Sequence, residues 1–148
     1  MSGTGAQELA GEISPEEAYG VLREDARAVL VDVRTEPEWQ FVGGPDLTPL
    51  GKTIIFLQWQ TYPSMGVAED FVTRLEGELR RRALEESAPL LFLCRSGARS
   101  RSAAMAMASA GWSRCFNIAE GFEGVLDAER HRGKTSGWRA RGLPWIQT

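Results

Sequence analysis

Four apolar runs, AVLVDVR, TIIFLQW, APLLFLC and RCFNIAEG, are spaced along the chain with helix-patterned stretches between them. The runs are rich in β-branched and aromatic residues and lack the polar alternation of a strand that faces water, so they read as buried strands. Strands covered on both faces need helices above and below. Regular strand–helix alternation provides them through crossovers that leave the strands parallel. The expected fold is therefore α/β, a mostly parallel sheet between two helical layers. Ligands of such sheets bind beyond the carboxyl ends of the strands. APLLFLC puts a cysteine, Cys94, at one of those ends.

The connecting segments carry their own signals. In ISPEEAYGVLRED, Ser14 is an N-cap, Pro15 takes the first helical position and Glu17 completes a capping box. Ala18, Val21 and Leu22 give that helix its apolar face. TEPEWQFVGG reads as a short helix ended by glycine, and PDLTPLGK as a loop. VAEDFVTRLEGELRRRALEE has apolar residues at 67, 68, 71, 72, 75 and 79, a helical spacing. RSAAMAMASAG is a further helix, whose Met105 and Met107 are expected to pack on the sheet. FEGVLDAERHRGKTSGWRARGLPW reads as a short helix, an irregular loop and a closing segment. Residues 1–10 are expected to be a loose tail, and residues 11–148 one domain.

Composition narrows the function classes. A chain of 148 residues with 43% hydrophobic and 25% charged residues suits one soluble domain with a single core. A net charge of -3 gives no basic field to attract nucleic acid. No apolar run approaches the ~20 residues of a membrane span. MSGTGAQELAGEI has neither the basic nor the apolar region of a secretory signal, so the cytoplasm is the expected location. Two cysteines without a CxxC pair, and one histidine, make neither a disulfide framework nor a zinc site. No metal or cofactor is expected, and both thiols should be free.

The two cysteines differ in their surroundings. Cys115, between Arg114 and Phe116 in a strand pattern, reads as a small buried hydrophobe. Cys94 opens CRSGAR, which compresses a strand end, a tight turn and a helix start into a few positions. Such a turn aims backbone N–H groups inward, with the positive end of a helix behind them. Arg95 and Arg99 add two full charges. All of these favour thiolate over thiol at Cys94.

CRSGARS after an apolar strand, LVDVRTEPEW upstream, and GW then GLPW near the end resemble a single-domain rhodanese-like sulfurtransferase, over residues 11–146. The resemblance implies a three-layer α/β fold around a central, mostly parallel five-stranded sheet. It makes Cys94 the nucleophile that carries sulfur as a persulfide. Ser96, Gly97 and Ala98 would belong to the cradling loop, and Arg95 and Arg99 would hold a small anionic donor such as thiosulfate. Cyanide or a thiol would be the acceptor. Asp32 and Arg34 match the family's Asp-x-Arg and would support the rim of the site. For Arg34 the alternative is a surface ion pair with Glu36 or Glu38, and Asp32, flanked by valines, is expected to be structural.

The chain departs from the family pattern in two places. GGPDLTPLGK replaces a shorter histidine-containing turn, and FEGVLDAERHRGKTS is inserted before Trp138. Both segments are candidates to border the pocket, as are Trp59 and Tyr62. Three other readings compete. A cysteine phosphatase needs Cys-x5-Arg, and the position that spacing requires is Ser100. A cysteine hydrolase needs a histidine base, and His131 sits among Arg130, Arg132 and Lys134, as a solvated loop residue would. A rhodanese-like binding module without turnover typically lacks the cysteine, which is present here.

Overall fold

A computed structural model describes residues 9–61, 64, 66–132 and 134–147. Its centre is a five-stranded, wholly parallel sheet. In chain order the strands are β1 (Gly11–Ile13), β2 (Val29–Asp32), β4 (Ile55–Phe56), β7 (Leu90–Leu93) and β8 (Cys115–Ile118), and across the sheet they run β1-β8-β7-β2-β4. β7 therefore lies in the middle, with Leu90 to Leu93 beside Val29 to Asp32 on one flank. On the other flank Leu90, Leu91 and Phe92 face Cys115, Phe116 and Asn117.

The alternation of side chains along the strands divides the interior into two cores. Val29, Val31, Val33, Leu90, Phe92 and Cys94 face helices α3 (Phe71–Arg81) and α4 (Ala98–Ser109). Leu30, Leu91, Leu93 and Ile118 face α1 (Pro15–Glu24) and the carboxy-terminal segment, through Leu22, Phe122 and Trp138. α3 earns its place by spacing: Phe71, Leu75 and Leu79 recur every four residues, and all three are buried. Burying a side chain of this size contributes about 1.5–3 kcal/mol. α1 is capped as its sequence predicts. The Ser14 hydroxyl accepts from Glu17 N–H, and the Glu17 carboxylate accepts from Ser14 N–H.

Several expectations need correction. The strand read in TIIFLQW is only two residues long, because β4 is a sheet edge; beyond it Leu57 and Trp59 still donate to the carbonyls of Asp32 and Val33. Of the expected tail, residues 1–8 lie outside the described residues. Leu9 packs on the core, Ala10 N–H bonds Cys115 O, and Gly11–Ile13 form the edge strand β1. The loop PDLTPLGK contains a 3-10 turn, Thr48–Leu50, and Gly44–Pro45 form β3, paired antiparallel with β9 (Trp145–Ile146). A further pair joins β5 (Gln60–Thr61) to β6 (Gly66–Val67).

No helix forms in FEGVLDAER. Gly124, at φ +75°, is packed against the backbone of Ser136, and the Asp127 carboxylate accepts from the N–H groups of Glu129 and His131 to close a turn. Met107 is buried as expected, whereas Met105 points outward. Among the described residues, no helix is long and apolar enough to cross a membrane.

Candidate active site

β7 ends at Leu93, and the chain turns through Cys94–Gly97 into α4. Gly97 makes the turn possible: its φ of +116° is a backbone region that L side chains rarely adopt. The turn folds back on the sulfur. Cys94 Sγ accepts from Gly97 N–H at 3.1 Å and from the Ser100 hydroxyl at 3.2 Å. The first N–H groups of α4 have no intrahelical acceptor and lie at its positive end, just beyond the cysteine.

Ser100 is fully buried and joined to a second residue beneath the loop. Its hydroxyl lies 2.5 Å from Asn117 Oδ1, while Asn117 Nδ2 donates to Gly97 O at 3.1 Å. Asn117 thus ties β8 to the turn and presents an alternative acceptor for the Ser100 proton.

Above Cys94 opens a cleft of about 690 Å³. The cysteine is only 1% exposed and forms part of its lining, together with Arg95, Ser96, Ala98 and Arg99 of the loop. α2 (Glu36–Phe41) and the residue before it line one wall through Thr35, Pro37 and Glu38, and the 122–136 segment adds Glu123 and Arg132.

The two loop arginines are not equivalent. Arg99 is engaged in a bidentate pair with Glu38, Nη1 to Oε1 at 2.7 Å and Nη2 to Oε2 at 2.9 Å. Its fork is occupied rather than open to a donor anion. Arg95 is exposed and has no carboxylate partner among the described residues.

Glu38 also accepts from the N–H and hydroxyl of Thr35. Burial pushes its carboxyl upward, but the hydrogen bonds from Arg99 and Thr35 outweigh this and bring it from 4.5 down to about 2. On Arg99, burial acts against the charge, yet Glu38 raises its pKa overall. A folded-state carboxyl below its unfolded value stabilises fully above about pH 4.5. That contribution is lost as pH falls through about 2. Glu38→Gln should therefore cost on the order of 1–2 kcal/mol at pH 7, allowing for partial solvent screening. In urea unfolding the gap from wild type should close as the pH falls from 4.5 toward 2; a gap independent of pH contradicts the assignment.

Asp32 and Arg34 lie beneath the site rather than on its surface. Both are fully buried, with Arg34 Nη2 2.8 Å and Nε 3.0 Å from the Asp32 carboxylate. Nη2 also donates to Gly43 O, and the guanidinium lies 4.5 Å from the Phe122 ring centre. The pair joins the end of β2, the turn after α2 and the start of the 122–136 segment. It replaces the surface pair of Arg34 with Glu36 or Glu38 considered from the sequence.

That segment also holds the loop directly. Phe122 N–H bonds Cys94 O at 2.8 Å, and Glu123 N–H bonds Arg95 O at 2.9 Å. Gly121 precedes them at φ +67°, where a Cβ would meet both carbonyl oxygens at 2.5 Å.

Other candidates fall away from the cleft. Trp59 packs edge-on against Phe71 at 5.1 Å and is not part of the cleft wall, although its neighbour Gln60 is. Tyr62 lies outside the described residues. His131 is exposed and does not line the cleft. Cys115 is buried, and burial pushes its thiol up to about 12. Of the two departing segments, 122–136 borders the cleft, whereas no residue of 43–52 is among its lining.

Glu38, Ser100, Asn117, Glu123 and Arg132 were not foreseen as site residues. Ser100 follows the loop on the first turn of α4, and Glu123 and Arg132 belong to the segment that the sequence marked as a candidate to border the pocket.

The family model described as Rhodanese-like domain matches residues 14–128. An uncharacterized protein of Rickettsia conorii, RC0915, is 38% identical over 128 residues, covering 86% of this chain and 90% of the relative. The crystal structure of Rv0390 from M. tuberculosis is 45% identical, with a TM-score of 0.84, over 95% of this chain and all of that one. The solution structure of a homodimeric polysulfide-sulfur transferase from Wolinella succinogenes has the same fold at 21% identity, with a TM-score of 0.56 over 95% and 80% of the two chains. With a matching family model across most of its length, and relatives aligned over nearly all of theirs, the chain belongs to the family of rhodanese-like domains.

Proposed function

We propose that this protein is a sulfurtransferase that moves a sulfane sulfur through a persulfide on Cys94. The observation that carries this reading is the sulfur itself: Sγ faces Gly97 N–H and the Ser100 hydroxyl at the floor of an open cleft. Two hydrogen-bond donors and the start of α4 therefore surround the sulfur that would attack the donor. The fold is shared with a protein named polysulfide-sulfur transferase.

With thiosulfate as donor, the Cys94 thiolate attacks the outer sulfur. The sulfur–sulfur bond breaks and sulfite leaves with the bonding pair. Cyanide then attacks the terminal sulfur of the persulfide and departs as thiocyanate, returning the electron pair to Cys94. Sulfite is a weakly basic leaving group, and attack by a thiolate leaves no proton for a general base to remove. Arg95 offers the open positive charge for the donor, and Arg99 holds α2 against the loop through Glu38. A reducing cytoplasm is the compartment this reading assigns, since it keeps Cys94 available as a thiol.

The test is turnover of thiosulfate with cyanide, read as thiocyanate. Arg95→Ala should lower kcat/KM for thiosulfate by roughly tenfold, mainly by raising KM, as loss of a charge-assisted contact does. Thiosulfate turnover unchanged in Arg95→Ala removes that residue from donor binding. A wild type that never forms thiocyanate removes thiosulfate as the donor.

A further inference from the structure

The central sheet ends on one side in a strand with an open flank. β4 pairs with β2 alone, at the opposite margin from β1. Leu57 N–H donates inward to Asp32 O at 3.1 Å, in register with the pairing of Asp32 and Phe56. Backbone groups alternate in direction along a strand, so those of Ile54 and Phe56 point outward. Among the described residues no backbone group meets them. An unpaired row of this kind is a template for another extended chain.

The two faces beside this edge differ in chemistry. Ile55 points into the core beneath α3, with Phe71 and Leu75. Phe56 points to the other face, where its ring meets Trp39 edge-on at 5.3 Å. That face is apolar: Phe56 is 48% exposed, Ile146 54% and Phe41 74%. Gly44 joins them, since it pairs with Ile146 and a Cβ on it would stand 3.9 Å from the Phe56 ring. Gln147 Nε2 donates to Phe41 O and holds the end of α2 beside β9. On the α3 side a groove of about 350 Å³ separates β4 from Arg74, Glu78 and Arg82. These three recur every four residues and so share one face of the helix. Glu78 is engaged by both Arg81 and Arg82, whereas Arg74 has no carboxylate partner among the described residues. The groove wall therefore carries surplus positive charge.

We infer that the free edge of β4 binds an extended segment of a partner protein in which apolar and acidic side chains alternate. Main-chain hydrogen bonds to Ile54 and Phe56 would add the segment as a further strand. Successive side chains of a strand fall on opposite faces. Apolar ones then cover Phe56 and Ile146, and the carboxylates between them reach Arg74. A second copy of this chain is a poor occupant of the same edge. The run TIIFLQW has no acidic residue, so β4 paired with its own copy supplies no carboxylate to either Arg74.

The experiment titrates three blocked peptides into the isotope-labelled full chain and follows amide resonances and hydrogen exchange. The first alternates valine and glutamate, the second alternates valine and lysine, and the third is the first with its central amides N-methylated. The valine–glutamate peptide should shift the amides of residues 54–57 and slow exchange at Ile54 and Phe56. The other two should bind roughly tenfold more weakly, having lost the charge match or the main-chain bonds. Arg74→Glu, a change at an exposed position, should weaken the glutamate peptide roughly tenfold and reverse the preference toward the lysine peptide. Arg74→Lys should bind the glutamate peptide as wild type does. Equal binding of the glutamate and lysine peptides overturns the proposal, as do shifts confined to residues away from β4 or no shifts at millimolar peptide. Wild type that dimerises with the Ile54 and Phe56 amides already protected overturns it as well, because the edge then belongs to a second copy.

Discussion

Cys94→Ser should take up no sulfur from thiosulfate and form no thiocyanate, while Cys115→Ser should gain the ~32 Da of one sulfur as wild type does. The contrast follows from the two environments. Cys94 Sγ meets an N–H and a hydroxyl and opens on the cleft. The Cys115 thiol sits 3.3 Å from Trp112 O, an acceptor that suits a neutral thiol, and burial holds it near 12. At neutral pH it supplies almost no thiolate. Serine at position 94 preserves the volume and the hydrogen bonds but is a far weaker nucleophile without a base. Intact mass after incubation with thiosulfate, followed by cyanide to strip the adduct, reads the result directly. Loss of the adduct in Cys115→Ser, with retention in Cys94→Ser, overturns the assignment.

The second large effect concerns stability. Asp32→Ala should destabilise the fold by about 3–5 kcal/mol, because it leaves the guanidinium of Arg34 buried without its counter-ion. The remaining contacts, Gly43 O and the face of Phe122, are too few for that charge. Arg34 Nη1 already lacks a hydrogen-bond partner among the described residues. Urea unfolding should show a lower midpoint with an unchanged slope. The double replacement Asp32→Ala with Arg34→Leu should recover much of the loss, since an apolar side chain avoids the cost of a buried unpaired charge. A single variant as stable as wild type contradicts the buried-pair account.

The sheet was legible because β7 is apolar at every position and β2 at all but its last, Asp32, as strands covered on both faces tend to be. The helix start at Ser14 was legible for the same local reason: its cap uses only neighbours in sequence. What sequence reading missed depends on distant partners. β1 is three residues of ordinary composition that become a strand only beside β8. Residues 122–130 look helical by their acidic and apolar content, yet Gly124 is pressed against Ser136 and the chain turns instead.

The site shows the same division. Cys94 and the tight turn were visible because loop and helix start are contiguous. That Arg99 is occupied by Glu38, 61 residues away, was not visible. The 122–136 segment was a candidate to border the pocket, but that Glu123 and Arg132 would be the residues to line it was not visible either.

The clasp of Phe122 and Glu123 on the carbonyls of Cys94 and Arg95 has a consequence for synthesis on the ribosome. Cys94 is made before the residues that fix its loop, and β9, which closes on β3, is made later still. A nascent chain that has released Cys94 and α4 but not residues 115–124 lacks the Asn117 and Phe122 bonds that set the turn. Its cysteine then sits on an unbraced strand end. The cysteine loop is thus left unbraced until residues 117–123 have emerged, so that a product stalled before them carries Cys94 without the bonds that shape its turn.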